Sequence, residues 1–166
     1  MEESLAAKAR RIKLVVSDID GVWTDAVMYY TAEGEFMKGF STRDGMAVAL
    51  LRAAGIPTAL ITSEASAIVQ ARARKLGISD VFIGVRDKAE ILGHLLEKYQ
   101  LSPEEVAYIG DDINDLECMR VVGLSAAPAD TPAFSLLQPD ILLSRKGGEG
   151  AFRELADLIL QVQKEQ

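Results

Sequence analysis

The sequence predicts an α/β fold, a mainly parallel sheet with helices on both faces. Three observations carry that expectation. Short apolar runs alternate along the chain with longer stretches patterned as helices. Those runs are apolar throughout, as strands covered on both faces must be. Several end abruptly in polar residues, at the sheet edge where open α/β folds bind their ligands. A chain of 166 residues, 49% hydrophobic, accommodates one domain with a real core, and no linker long enough to divide two appears.

Residues 1–11 are charged, lack the apolar stretch of a signal peptide, and read as a segment that frays or forms a short helix. The run Leu14-Val15-Val16 is the first strand. Two β-rich runs around Gly34, spanning about 26–40, predict a hairpin. Its Tyr29, Tyr30, Phe36, Met37 and Phe40 exceed what an isolated ribbon buries, so it packs on its own domain or on another subunit. Asp44 is a candidate cap for a helix over 45–54 that Gly55 stops. A strand over 56–61 follows, with Pro57 tolerated near its start. Then come a helix over 65–76 closed by Gly77, a strand over 81–83 and a helix over 88–99. Ser102-Pro103-Glu104-Glu105 has the form of a capping box with proline at the first helical position. A strand over 106–109, a helix over 116–121 and a short strand over 123–126 come next. A helical 130–137, a last strand over 141–143 and a closing helix over 150–162 complete the chain, with 146–150 as a flexible, glycine-dense linker.

A formal net charge of -7 argues against nucleic acid or an anionic membrane as the main partner, while leaving room for a small anionic substrate beside a local basic cluster. One cysteine, Cys118, excludes an internal disulfide and reads as a small buried hydrophobe. His94 falls on a surface-like helix face. No run approaches transmembrane length, and the expected address is a reducing cytoplasm.

Four strand ends carry reactive-looking residues: Asp18 and Asp20; Thr62, Ser63 and Glu64; the Arg86-Asp87-Lys88 turn; and Asp111, Asp112 and Asp115. Carboxylates at the end of a buried strand need a partner, whether a cation, a backbone nest or a shared proton. Three or more acidic oxygens in one cleft suit a hard, oxygen-loving cation such as Mg2+, and the lack of thiolate and imidazole ligands argues against zinc. With Thr62 as a hydroxyl donor and Lys88 as an ammonium, such a cleft suits a phosphoryl group. Asp18 beside the metal can attack phosphorus, and Asp20 can serve as acid for the leaving group and base for water. A response-regulator-like receiver shares the acidic cluster and the lysine, but its lysine comes late and no Asp-x-Asp follows its first strand.

At these residues the sequence resembles the haloacid dehalogenase superfamily of phosphatases. Asp18-Ile19-Asp20-Gly21-Val22 resembles motif one, Thr62 motif two, Lys88 motif three, and Gly110-Asp111-Asp112-Ile113-Asn114-Asp115 motif four. The resemblance implies a Rossmann-like sheet, Asp18 as nucleophile, Asp20 as general acid/base, and Mg2+ held by Asp18, the Asp20 carbonyl and Asp111, with Asp112 and Asp115 in support. Trp23-Thr24-Asp25, the hairpin, the stretch Phe40-Ser41-Thr42-Arg43-Asp44-Gly45 and Gly147-Gly148-Glu149-Gly150 are similar to the cap-less branch acting on phosphorylated eight- or nine-carbon sugar acids. That branch implies a homotetramer associated through its hairpins, one subunit closing its neighbour's site. Thr42, Arg43, Glu64, Arg72 and Lys75 are the implied substrate-binding residues. Thr42 and Arg43 look like the eight-carbon octulosonate 8-phosphate enzymes of lipopolysaccharide synthesis, which come first. Glu64, Arg72 and Lys75 look like the nononate or acylneuraminate 9-phosphate enzymes, the alternative.

Overall fold

The structure, a computed structural model, describes residues 4–165. Of the segment expected to fray or form a short helix, α1 (Leu5–Arg10) is helical, capped by the Ser4 hydroxyl, and residues 1–3 lie outside the described residues. The chain then runs through β1 (Leu14–Ser17), a hairpin of β2 (Tyr29–Thr31) and β3 (Gly34–Met37), α2 (Thr42–Ala53), β4 (Thr58–Ile61), α3 (Ala67–Leu76), β5 (Asp80–Phe82) and α4 (Lys88–Tyr99). After a short 3-10 turn it continues through β6 (Val106–Ile109), α5 (Leu116–Val121), β7 (Leu124–Ala127), α6 (Phe134–Leu137), β8 (Ile141–Leu142) and α7 (Ala151–Lys164).

Six strands pair in the order β5-β4-β1-β6-β7-β8, all parallel, and the hairpin stands apart as a two-stranded antiparallel ribbon. Side chains alternate across each strand, so Val15 and Leu60 face one apolar cluster, with α2 and α7, while Leu14, Val16 and Tyr108 face another, with α4 and α5. Both faces are therefore covered, as the uninterrupted apolar runs require. The chain works outward from β1 to β5 on one side and returns through β6 to β8 on the other. The crevice of such a sheet opens where that direction reverses, beside β1 and β6. No helix among the described residues is long and apolar enough to cross a membrane.

Three local expectations are corrected. Asp44 does not cap its own helix: Ser41 does, accepting the Arg43 N–H, and α2 begins earlier. The buried Asp44 carboxylate instead accepts the Arg153 N–H at 2.9 Å and so caps the first turn of α7, whose own cap residue, Gly150, has no side chain to offer. Residues 130–137 are helical only over α6, because Ala129–Asp130 and Pro132–Ala133 form turns ahead of it. The glycine-dense 146–150 is no flexible linker. Gly148 donates to the Val22 carbonyl at 3.0 Å, Gly147 donates to Asp130 at 3.0 Å, and a β-carbon on Gly147 would fall 1.9 Å from the Gly21 carbonyl oxygen. Glycine serves here for close approach, and the segment is a strap across the turn that follows β1.

Gly147→Ala is expected to cost about 1–3 kcal/mol because the strap backbone must move away from Gly21. Gly93→Ala, in the middle of α4 with open space at its β-carbon, is expected to gain up to about 1 kcal/mol of helix propensity. Urea unfolding midpoints of the two variants check both signs.

Candidate active site

The turn after β1 is held from beneath. Trp23 is fully buried, donates its indole N–H to the Ser17 hydroxyl at 2.9 Å, and stacks at a tilt on Phe152 with ring centroids 4.7 Å apart. Ser17 in turn donates to the Asp18 carbonyl at 2.6 Å, and Gly21 takes the left-handed φ of 87° that the tight turn needs. Asp18 and Asp20 are thereby fixed at the crevice between β1 and β6.

Lys88 opens α4, where the helix dipole disfavours a cation. Two carboxylates reverse that preference. Its buried Nζ donates to Asp18 Oδ1 and to Asp115 Oδ1, each at 2.8 Å. Burial alone lowers the Lys88 pKa, but the Asp18 and Asp115 charges raise it above its ordinary value, so it stays an ammonium. Asp115 is fully buried and fully used. Oδ1 also accepts the Tyr108 hydroxyl at 2.6 Å, and Oδ2 accepts the backbone N–H groups of Asp111 and Asp112 at 3.0 and 3.3 Å. Burial, and then the Asp115 charge, raise the Tyr108 pKa far above its usual range, which keeps its hydroxyl a donor.

One oxygen each from Asp18, Asp111 and Asp115 lies within 4.8 Å of the others. Burial, followed by the Asp115 charge, pushes Asp18 up to about 7 in spite of Lys88. Asp111 is pushed up to about 8, first by burial and then by Asp18 and Asp115. Carboxyls that resist ionising side by side are relieved by a divalent cation, and an all-oxygen donor set suits Mg2+. Gly21 makes room for the Asp111 carboxylate: a β-carbon there would sit 1.8 Å from its Oδ2. Because Asp115 has no lone pair left, Asp18 and Asp111 are the side chains that can hold the ion, with Asp115 bracing both. Asp112 caps the turn ahead of α5 through the Ile113 N–H at 2.7 Å.

These groups face an open cleft of about 290 Å3 also bordered by Asp20, Thr62, Glu64 and Asn114. Thr62 Oγ1 lies 3.5 Å from Asp20 Oδ2, and Asn114 bridges to Ser63 across the rim at 3.1 Å. Of the residues named from sequence, Asp18, Asp20, Thr62, Glu64, Asp111 and Asp112 border this cleft, and Lys88 and Asp115 bind directly beneath it. Thr42 and Arg43 border a separate cavity of about 760 Å3, shared with Arg145 and Tyr29. Arg72 packs under α2, its guanidinium 5.7 Å from the Phe40 ring centroid and donating to the Ser41 carbonyl, and Lys75 is exposed. Neither borders either cavity. Cys118 is buried, and burial raises its thiol pKa to about 12, as expected of an inert side chain. Sequence reading missed Tyr108, whose signal was a polar tip inside a fully buried strand. It also missed Lys38, which donates to Asp20 Oδ1 at 2.5 Å from a hairpin that reads as apolar.

A family model described as haloacid dehalogenase-like hydrolase matches residues 41–123. The chain is 40% identical to the 3-deoxy-D-manno-octulosonate 8-phosphate phosphatase KdsC of Haemophilus influenzae, over 94% of this chain and 87% of that protein. The crystal structure of the Yersinia pestis 3-deoxy-D-manno-octulosonate 8-phosphate phosphatase superposes with a TM-score of 0.93 at 39% identity, covering 97% of this chain and 87% of that one. The corresponding Moraxella catarrhalis structure, in complex with magnesium, phosphate and KDO, gives 0.91 at 36% identity, covering 96% and 92%.

Asp115→Ala, which strips partners from Tyr108, Lys88 and two backbone N–H groups at once, is expected to destabilise the fold by about 3–5 kcal/mol. Tyr108→Phe removes one hydrogen bond and is expected to cost about 1 kcal/mol. Comparing the two by urea unfolding checks the ranking.

Proposed function

The chain belongs to the haloacid dehalogenase-like hydrolases, and from that membership we propose that it is a Mg2+-dependent phosphatase hydrolysing 3-deoxy-D-manno-octulosonate 8-phosphate. The observation that carries the chemistry is the buried Asp18, held by Lys88 at 2.8 Å and open to the cleft between β1 and β6. On this reading an Asp18 oxygen attacks phosphorus, the ester P–O bond breaks, and Asp20 protonates the departing sugar oxygen. Asp20 then takes a proton from water, whose oxygen attacks the aspartyl-phosphate and releases inorganic phosphate and free Asp18. Thr62 and Lys88 supply a donor and a positive charge for the phosphoryl oxygens. Asp18, the Asp20 carbonyl and Asp111 would hold Mg2+, which would supply positive charge to the transferred group. Asp112 and Asp115 support the ligands.

The sequence over 1–166 serves on this reading as one catalytic domain of a cytoplasmic enzyme in lipopolysaccharide synthesis, with the hairpin in place of a cap. The exposed Val27, Tyr30 and Phe36 of the hairpin support its burial against other copies in a homotetramer. Thr42, Arg43, Arg72 and Lys75 then meet substrate across a subunit contact. A second reading, a nine-carbon nononate or acylneuraminate 9-phosphate, is favoured by Glu64 at the cleft, an acceptor for sugar hydroxyls or an amide.

Asp18→Asn is expected to lower kcat/KM for phosphate release by about 10^4-fold or more. Excess chelator is expected to abolish wild-type activity and added Mg2+ to restore it; full activity in EDTA would contradict the metal assignment. Paired kcat/KM values on the two sugar phosphates decide between the readings, with the 8-phosphate expected to lead. Light scattering is expected to give tetramers for the intact chain and monomers after replacement of residues 26–40 by a short loop.

A further inference from the structure

The hairpin carries a second feature besides its exposed apolar side chains. Lys38, just beyond β3, has a side chain that is 0% exposed. Burying an ammonium is costly unless it is well paired. Here its Nζ lies 2.5 Å from Asp20 Oδ1 and 2.6 Å from Glu35 Oε1. The other Glu35 oxygen accepts the Ser66 hydroxyl at 2.8 Å, and Ser66 is the cap residue of α3. A continuous polar chain, Asp20–Lys38–Glu35–Ser66, therefore ties the turn after β1 to the hairpin and to the loop after β4. Neither Lys38 nor Glu35 borders the cleft, so neither touches a phosphate ester bound there.

We propose that Lys38, braced by Glu35, is the positioning residue for Asp20, holding Oδ1 so that Oδ2, the oxygen beside Thr62, faces the leaving group. This rests on Asp20 acting as the general acid. An unanchored aspartate samples several rotamers, and only one puts its oxygen within reach of the scissile bond. The ammonium takes one oxygen at 2.5 Å and is the firm anchor; the Thr62 hydroxyl lies 3.5 Å from the other, at the limit of a hydrogen bond. The hairpin thereby supplies part of the acid/base machinery from within the same chain.

The leaving group separates this role from a purely structural one. A sugar alkoxide needs a proton to depart, whereas 2,4-dinitrophenolate does not. Single-turnover release is measured for wild type, Lys38→Met and Lys38→Arg on an alkyl phosphate and on 2,4-dinitrophenyl phosphate, with saturating Mg2+. Lys38→Met is expected to slow the alkyl ester by about 10^2-fold or more while slowing the dinitrophenyl ester by less than about tenfold, and Lys38→Arg to restore most of the loss. Glu35→Gln, which keeps shape and removes a charge, is expected to show the same selectivity at smaller size, and it stands in if Lys38→Met does not fold. Equal slowing of both esters, or no slowing of the alkyl ester, in a folded variant overturns the proposal while leaving the phosphatase reading intact. A wild-type protein that cleaves neither these esters nor 3-deoxy-D-manno-octulosonate 8-phosphate overturns the phosphatase reading itself.

Discussion

The ammonium of Lys88 between Asp18 and Asp115 is the interaction on which the rest of the site depends. It joins three separate pieces of chain: the end of β1, the start of α4 and the turn after β6. None of the three groups is tolerable alone in that position. Asp18 and Asp115 are buried carboxylates, and Lys88 is a buried cation at the wrong end of a helix. Together they offset one another, and the surrounding donors from Tyr108, Asp111 and Asp112 use what remains of Asp115. Asp18 is left with an oxygen that points at the cleft, next to Asp111 and short of positive charge. That shortage is what a divalent cation and a phosphoryl group require.

The frame was legible because its signals are local. Helix α4 and strand β6 fall within the bounds that apolar runs and the turn residues around them set. The convergence of Asp18, Thr62, Lys88 and Asp111 followed from their places at strand ends, since a parallel sheet brings all those ends to one edge. What failed depends on partners far away in sequence. Asp44 looks like a cap for the helix beginning beside it, yet it serves a helix more than a hundred residues later. The glycines at 147 and 148 look like slack, yet they are small because backbone passes close by. Lys38 reads as a polar break in an apolar ribbon, and only the fold shows that Asp20 and Glu35 enclose it. Arg72 and Lys75 share a helix face with charge suited to a carboxylate, but within one chain that face lies away from the cleft.

The hairpin joins these threads. Its surface exposes Tyr30 and Phe36, large apolar groups with no cover in the isolated chain. The base carries Lys38 and Glu35 inward to the turn after β1. A two-stranded ribbon is marginal by itself, so anything that steadies the outer surface also steadies the acid/base anchor at the root. On the proposed reading, assembly through the hairpin would be mechanically linked to acid/base work at Asp20.

The central claim is that Asp18 forms a covalent phosphoryl bond during turnover. Acid-quenching the enzyme within its first turnover on a labelled phosphate ester, reducing with borohydride and sequencing the peptides by mass spectrometry tests it most directly. The account predicts homoserine in place of aspartate at position 18, in proportion to the ester consumed, and nowhere else. Phosphate released in the first turnover with position 18 unmodified, or a modification at Asp20 or Asp111 instead, would contradict it.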